Sequence, residues 1–163
     1  LEWATTMNNL GTAMQALGMH RKGPRTLEQA AGAFRSALSE RTRERVPEEW
    51  AMTQNNLGAA LQKLAEREED PKILVDAIAA FESALQVWTR EAAPINWAMT
   101  IANAGATRRI LAECTEDTET AEHAVADLMA ATALFREASH AHYYELALNQ
   151  LAETRKILDA LRG

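Results

Sequence analysis

Four histidines and a single cysteine are the first side chains to weigh as metal ligands or nucleophiles, and their spacing supports neither role. His140 and His142 lie two residues apart, which on a helix turns them roughly 200° from each other. Neither has a partner one helical turn on, as helical zinc sites require. They read as surface or capping residues, while His20 and His123 are isolated in the chain. Cys114 follows Leu111-Ala112-Glu113 near the end of an apolar-periodic segment and reads as a buried or half-buried thiol. As the one cysteine it can form no internal disulfide and no thiolate cluster. No phosphate-binding glycine loop, nucleophile elbow or paired-cysteine motif occurs. Neither an enzyme, nor a cofactor, nor a metal is therefore expected.

The balance of charge narrows the partners further. Acidic residues number 23 and basic residues 17, for a net charge of −6. The one local basic cluster is His20-Arg21-Lys22-Gly23-Pro24-Arg25, too small to neutralise a run of phosphates, so nucleic acid is not expected. No apolar run approaches the roughly 20 residues that span a bilayer, and the start lacks the basic-then-apolar layout of a signal peptide, so a membrane is not expected either. With its lone cysteine the chain fits a reducing compartment, the cytoplasm. It opens inside an amphipathic segment and is expected to be a piece of a longer protein. Half the residues are apolar and a quarter charged, the composition of a folded globular domain.

The elements that must position any site come from an internal repeat. Trp3, Trp50 and Trp97 are 47 residues apart, and Tyr144 takes the same place one period later. Residues 1–47 and 48–94, aligned without a gap, share 23 identities, and 48–94 share 15 with 95–141. Each unit reads as two helices. Trp50, Leu57, Leu61 and Leu64 form the stripe of an amphipathic helix A. Asp70-Pro71 supplies an N-cap and a first-turn proline, after which Leu74, Ala77, Ile78, Phe81, Ala84, Leu85 and Trp88 keep helical spacing as helix B. Gly23-Pro24 and Asp117-Thr118 mark the same junction in the neighbouring units, and Pro47 and Pro94 are read as closing theirs. Seven helices result: A and B three times over 1–47, 48–94 and 95–141, then a last A over 142–163 that caps one domain of 1–163. Gly11, Gly58 and Gly105 sit mid-helix, where glycine costs about 1 kcal/mol relative to alanine. Close approach of helix B offsets this, with Ala30, Ala77 and Ala124 at matching height and Phe34, Phe81 and Leu128 one turn on.

A helix carrying Leu57-Gly58, followed by a helix with Ala77, Phe81 and Ala84 and then Pro94, resembles the tetratricopeptide repeat. Leu10-Gly11, Ala30, Phe34, Ala37 and Pro47 give the same pattern in the first unit. The period here is 47 residues against about 34 in that family, so both helices are lengthened, as in bacterial arrays of long repeats. The resemblance implies an all-α fold, a right-handed superhelical solenoid of antiparallel helix hairpins, whose A helices line a concave groove that takes a peptide or helix of a partner protein.

Carried onto this chain, the resemblance places Asn9, Asn56, Asn103 and Gln150 on that face as an amide ladder able to donate to and accept from a peptide backbone. Thr12, Met52, Lys63 and Met99 share the face, and Gln62 and Arg109 lie at its edge. The Lys and Arg of a carboxylate clamp are absent, since their places hold Asn8 and Thr12, Asn55 and Ala59, Ala102 and Ala106, and Asn149 and Glu153. The asparagines could equally bond between adjacent A helices. The tryptophans read as core. Arg108-Arg109 replaces Leu61-Gln62, so a core position becomes charged: the array is expected to loosen there, the alternative being that these arginines meet an acidic group of the partner. The expected function is a protein-interaction scaffold. The alternative is a structural spacer or a homodimerising module that pairs through its open repeat ends.

Overall fold

The computed structural model describes residues 1–21 and 23–163. Lys22, in the middle of the basic cluster, lies outside them. Among the described residues the chain is entirely helical, with seven α-helices and no strand. They are α1 (Glu2–His20), α2 (Arg25–Leu38), α3 (Pro47–Glu68), α4 (Pro71–Leu85), α5 (Pro94–Thr115), α6 (Thr118–Glu137) and α7 (Ala141–Arg162). Number and order match the expectation, with α1, α3, α5 and α7 as A helices. Two compact units divide the chain: Leu1–Val87 holds α1 to α4, and Trp88–Gly163 holds α5 to α7. In the first unit α1 packs on α2, α2 on α3 and α3 on α4, and α1 also touches α3. In the second α5 packs on α6 and α6 on α7, and α5 touches α7.

The A-to-B joints are sharp for reasons the local sequence supplies. Glu69 and Glu116 end α3 and α5 in the left-handed region, with φ of 53° and 54°, which stops each helix and reverses the chain. The next residue is an aspartate N-cap. Asp70 Oδ1 accepts from the Lys72 N–H at 2.9 Å, and Asp117 Oδ1 from the Glu119 N–H at 3.0 Å. The Thr120 hydroxyl also donates to Asp117, at 2.6 Å, and this bond above all holds the Asp117 carboxyl below the usual carboxylate range.

The prolines correct one expectation. Pro47 and Pro94 do not close helix B but open the next A helix, each as the first residue of α3 or α5. At that position proline's missing N–H has no intrahelical partner to lose and its fixed φ suits the first turn. The B helices α2 and α4 end earlier, at Leu38 and Leu85, so Trp88 is buried beyond the end of α4 and not on its stripe.

At the mid-helix glycines the close approach is direct. A Cβ on Gly11 would stand 2.7 Å from the Phe34 ring, and one on Gly58 2.7 Å from the Phe81 ring. One on Gly105 would meet Leu128 Cγ at 2.9 Å, Asp127 Cβ at 3.0 Å and the Ala124 carbonyl at 3.2 Å. The large residue of helix B therefore makes the contact. Phe34, Phe81 and Leu128 are wholly buried. Trp97 packs against the core cluster of Ala98, Ala131, Leu134, Phe135 and Ala147, and Trp50 is half-buried. Trp3, however, is exposed, because neither α2 nor α3 covers that side of α1. Gly58→Ala is expected to lower stability by about 1–3 kcal/mol, overpacking against Phe81 outweighing the gain in helix propensity. Gly32→Ala on α2, with nothing within 4 Å of its new Cβ, should instead raise stability by about 0.5–1 kcal/mol. Urea unfolding of both variants reads the two opposite signs.

Candidate binding face of the A helices

The residues assigned to the A-helix face divide into two groups. On α1 Asn9 and Thr12 are exposed, on α3 Met52 is exposed while Asn56, Gln62 and Lys63 are half-buried, on α5 Met99 is exposed while Asn103 and Arg109 are half-buried, and on α7 Gln150 is exposed. Among the described residues the side-chain amides of Asn9, Asn103 and Gln150 make no hydrogen bond, so donor and acceptor both remain available. Others are already engaged. The Asn56 amide donates to Asn8 Oδ1 at 3.4 Å, which joins neighbouring A helices as the structural alternative for the ladder requires. The Thr12 hydroxyl donates to the Asn8 carbonyl of its own helix. Lys63 pairs with Glu66 at 2.9 Å. Arg109 Nη1 lies 3.8 Å from Glu113 Oε2, and its Nε is buried without a hydrogen-bond partner.

Behind this face in the first unit lies a polar cluster that sequence reading missed. Arg41, only 4% exposed, follows α2 and extends its guanidinium between α1 and α3. Its Nη1 donates to Thr53 Oγ1 at 2.9 Å and its Nη2 to Thr5 Oγ1 at 3.0 Å. Thr53 in turn donates to the Glu49 carbonyl at 2.7 Å and lies 3.3 Å from Asn8 Oδ1. Among the described residues, neutral oxygens alone thus hold a buried cation, and hydrogen bonds to a charged donor are worth more than neutral ones. The same register holds Trp88 in the second repeat and Phe135 in the third, where Phe135 joins the apolar core. The repeat alignment carried that signal: an arginine stood in a column otherwise aromatic. Likewise the buried asparagine is Asn8, one position before the expected one.

Two further expectations change. Arg108 is not left to loosen the packing; it forms an ion pair with Asp127 of α6, and both are largely buried. The pair stands where the second repeat has Leu61 and Ala80. Cys114 is exposed. Ala112 is buried, and two residues further along a helix point about 200° away. His140 is the N-cap residue of α7 without a side-chain cap bond, and His140 and His142 are exposed with Tyr143 ring centroids 6.1 and 5.6 Å away. Among the described residues no three His, Cys, Asp or Glu side chains gather as a metal set, and no helix is long and apolar enough to cross a membrane.

No family model, no curated protein and no solved structure matches this chain. Residue chemistry therefore carries the reading. Arg41→Ala is expected to lower the stability of the first unit by about 2–4 kcal/mol, through a cavity plus the lost partners of Thr53 and Thr5. Denaturant unfolding measures it, and because no carboxylate is involved the loss should be the same in low and high salt.

Proposed function

We propose that this chain is a protein-interaction module of tetratricopeptide-like kind, a right-handed solenoid of antiparallel helix hairpins whose A helices hold an extended peptide or a helix of a partner protein. The supporting observation is an apolar side chain left exposed at one register of successive A helices, Met52 on α3, Met99 on α5 and Leu146 on α7. Beside it stand the unbonded amides of Asn9, Asn103 and Gln150. Apolar contacts supply affinity, and an amide can pair with any main chain whatever its side chains. Methionine suits such a surface because it is unbranched and polarizable, and adapts its shape to the occupant. Affinity capture from the source cells, with the intact chain as bait, tests the reading. In Met99→Asp with Leu146→Asp the captured protein is expected to fall at least tenfold, with far-UV circular dichroism and melting unchanged. Undiminished capture by that variant removes the face from the proposal.

A second reading, self-association, draws on α1. Leu10 and Leu17 are 40% and 46% exposed, whereas their counterparts in the next repeat, Leu57 and Leu64, are both 7% exposed. Together with Trp3 they form an apolar stripe that another helix could cover. Light scattering over a dilution series is expected to show a mass that falls toward the monomer, and Leu10→Asp with Leu17→Asp to stay monomeric throughout. A wild-type chain that is monomeric at every concentration excludes this reading.

A further inference from the structure

A hollow of about 280 Å³ opens between α6 and α7 on the surface of the second unit. Its walls include Met129, Thr132, Ala133, Tyr144, Leu148 and Leu151. Two of these are large and apolar yet open to solvent, Met129 at 49% and Leu148 at 38%. Arg136 and Arg155 also line it. Both are exposed, and among the described residues neither makes an ion pair or a side-chain hydrogen bond. In a chain of net charge −6, two arginines without carboxylates beside exposed apolar side chains form a distinct surface.

The register of the two helices separates these cations. Phe135, near the end of α6, stacks on Tyr143, near the start of α7, with ring centroids 5.4 Å apart. Ala121, near the start of α6, clusters with Leu158, near the end of α7. Arg136 therefore stands at the Tyr144 end of the hollow and Arg155 at the Met129 end. Arg136 is one residue past Phe135 and Arg155 twelve past Tyr143 in the opposite direction, so their backbones stand roughly 20 Å apart along the helices at 1.5 Å per residue, with both side chains lining the hollow between them. Duplication does not account for the arrangement. At the same register the earlier repeats carry Arg35, Thr42, Gln54 and Leu61, and then Glu82, Thr89, Ile101 and Arg108. Only the last B-to-A pair combines the exposed apolar floor with an arginine at each end.

We propose that this hollow docks an extended acidic peptide, one that lays apolar side chains on Met129 and Leu148 and offers a carboxylate to each arginine. In an extended polyproline II chain, residues three apart share one side and stand roughly 9 Å apart, a spacing that the two long arginine side chains, both lining the hollow, can close on. The volume accommodates one or two side chains and not a helix. The site is separate from the A-helix face, because at about 100° per residue Tyr144, Leu148, Leu151 and Arg155 share one side of α7 and Leu146 and Gln150 lie on nearly the opposite side.

The probe is a fluorescein-labelled, end-blocked peptide with the core Glu-Leu-Leu-Glu, followed by anisotropy with the intact chain at low salt. Saturable binding with a Kd of about 0.1 mM is expected. Arg136→Glu with Arg155→Glu, both surface changes whose helicity circular dichroism verifies, should weaken it at least tenfold. Leu148→Ser, and a Gln-Leu-Leu-Gln peptide, should each weaken it severalfold, whereas Met99→Asp with Leu146→Asp should leave it unchanged. The proposal fails if no saturation occurs by about 2 mM, or if the charge-reversed variant binds as well as the parent. It also fails if Glu-Ser-Ser-Glu binds equally, which would mean charge attraction alone. Sedimentation showing a dimer that only Arg136→Glu with Arg155→Glu dissolves would give the hollow to a second copy and overturn it.

Discussion

The contact between a glycine on helix A and a large side chain on helix B is the constraint from which the rest of each repeat follows. With no Cβ at Gly11 or Gly58, the Phe34 and Phe81 rings lie directly on the backbone of the A helix. Helices that meet this closely fix their relative height, because a shift by one residue would set the ring against a side chain. The surrounding positions inherit their roles from that register. Ala4, Ala30, Ala51 and Ala77 can be no larger where the backbones converge, and all are fully buried. Positions facing away are free to vary, and these become the exposed apolar and amide positions of the A helices.

The repeats share this frame but fill it differently. Where the third repeat closes a core position with Phe135, the first inserts the Arg41 guanidinium and surrounds it with Thr5, Thr53 and the Glu49 carbonyl. Where the second buries Leu61 and Ala80, the third pairs Arg108 with Asp127. In both cases a buried charge arrives with its partners, as it must, since an uncompensated one would cost several kcal/mol. Such exchanges give each repeat its own interior even though one 47-residue plan underlies all three.

The helices were largely legible in the residues, the burial and bonding of particular side chains only partly so. The 47-residue period placed all seven helices, because apolar spacing, the recurring junctions at Gly23-Pro24, Asp70-Pro71 and Asp117-Thr118, and mid-helix glycines all point to the same register. Helix ends were less readable. A proline after an apolar run can end one helix or start the next, and Pro47 and Pro94 do the second. Which amide would be buried was not legible, since Asn8 and Asn9 are adjacent and about 100° of helical rotation decides between them. Arg41 was overlooked because an arginine suggests solvent, and only its three neutral oxygen partners and its aromatic counterparts in other repeats reveal a buried cation. Exposure of Trp3 and Cys114 likewise depends on which helices lie nearby, which periodicity alone does not state.

Two kinds of joint connect the helices. From α3 to α4, and again from α5 to α6, the chain turns in two residues, a left-handed glutamate and a capping aspartate. From α2 to α3 it takes residues 39–46, yet from α6 to α7 only 138–140, the difference being absorbed into an α6 of 20 residues against 14 in α2. The period stays at 47 all the while. The second and third hairpins are thus indexed from their tight elbows, like a ruler read from one end, and a far tip can exchange coil for helix without disturbing the side chain seated on the glycine.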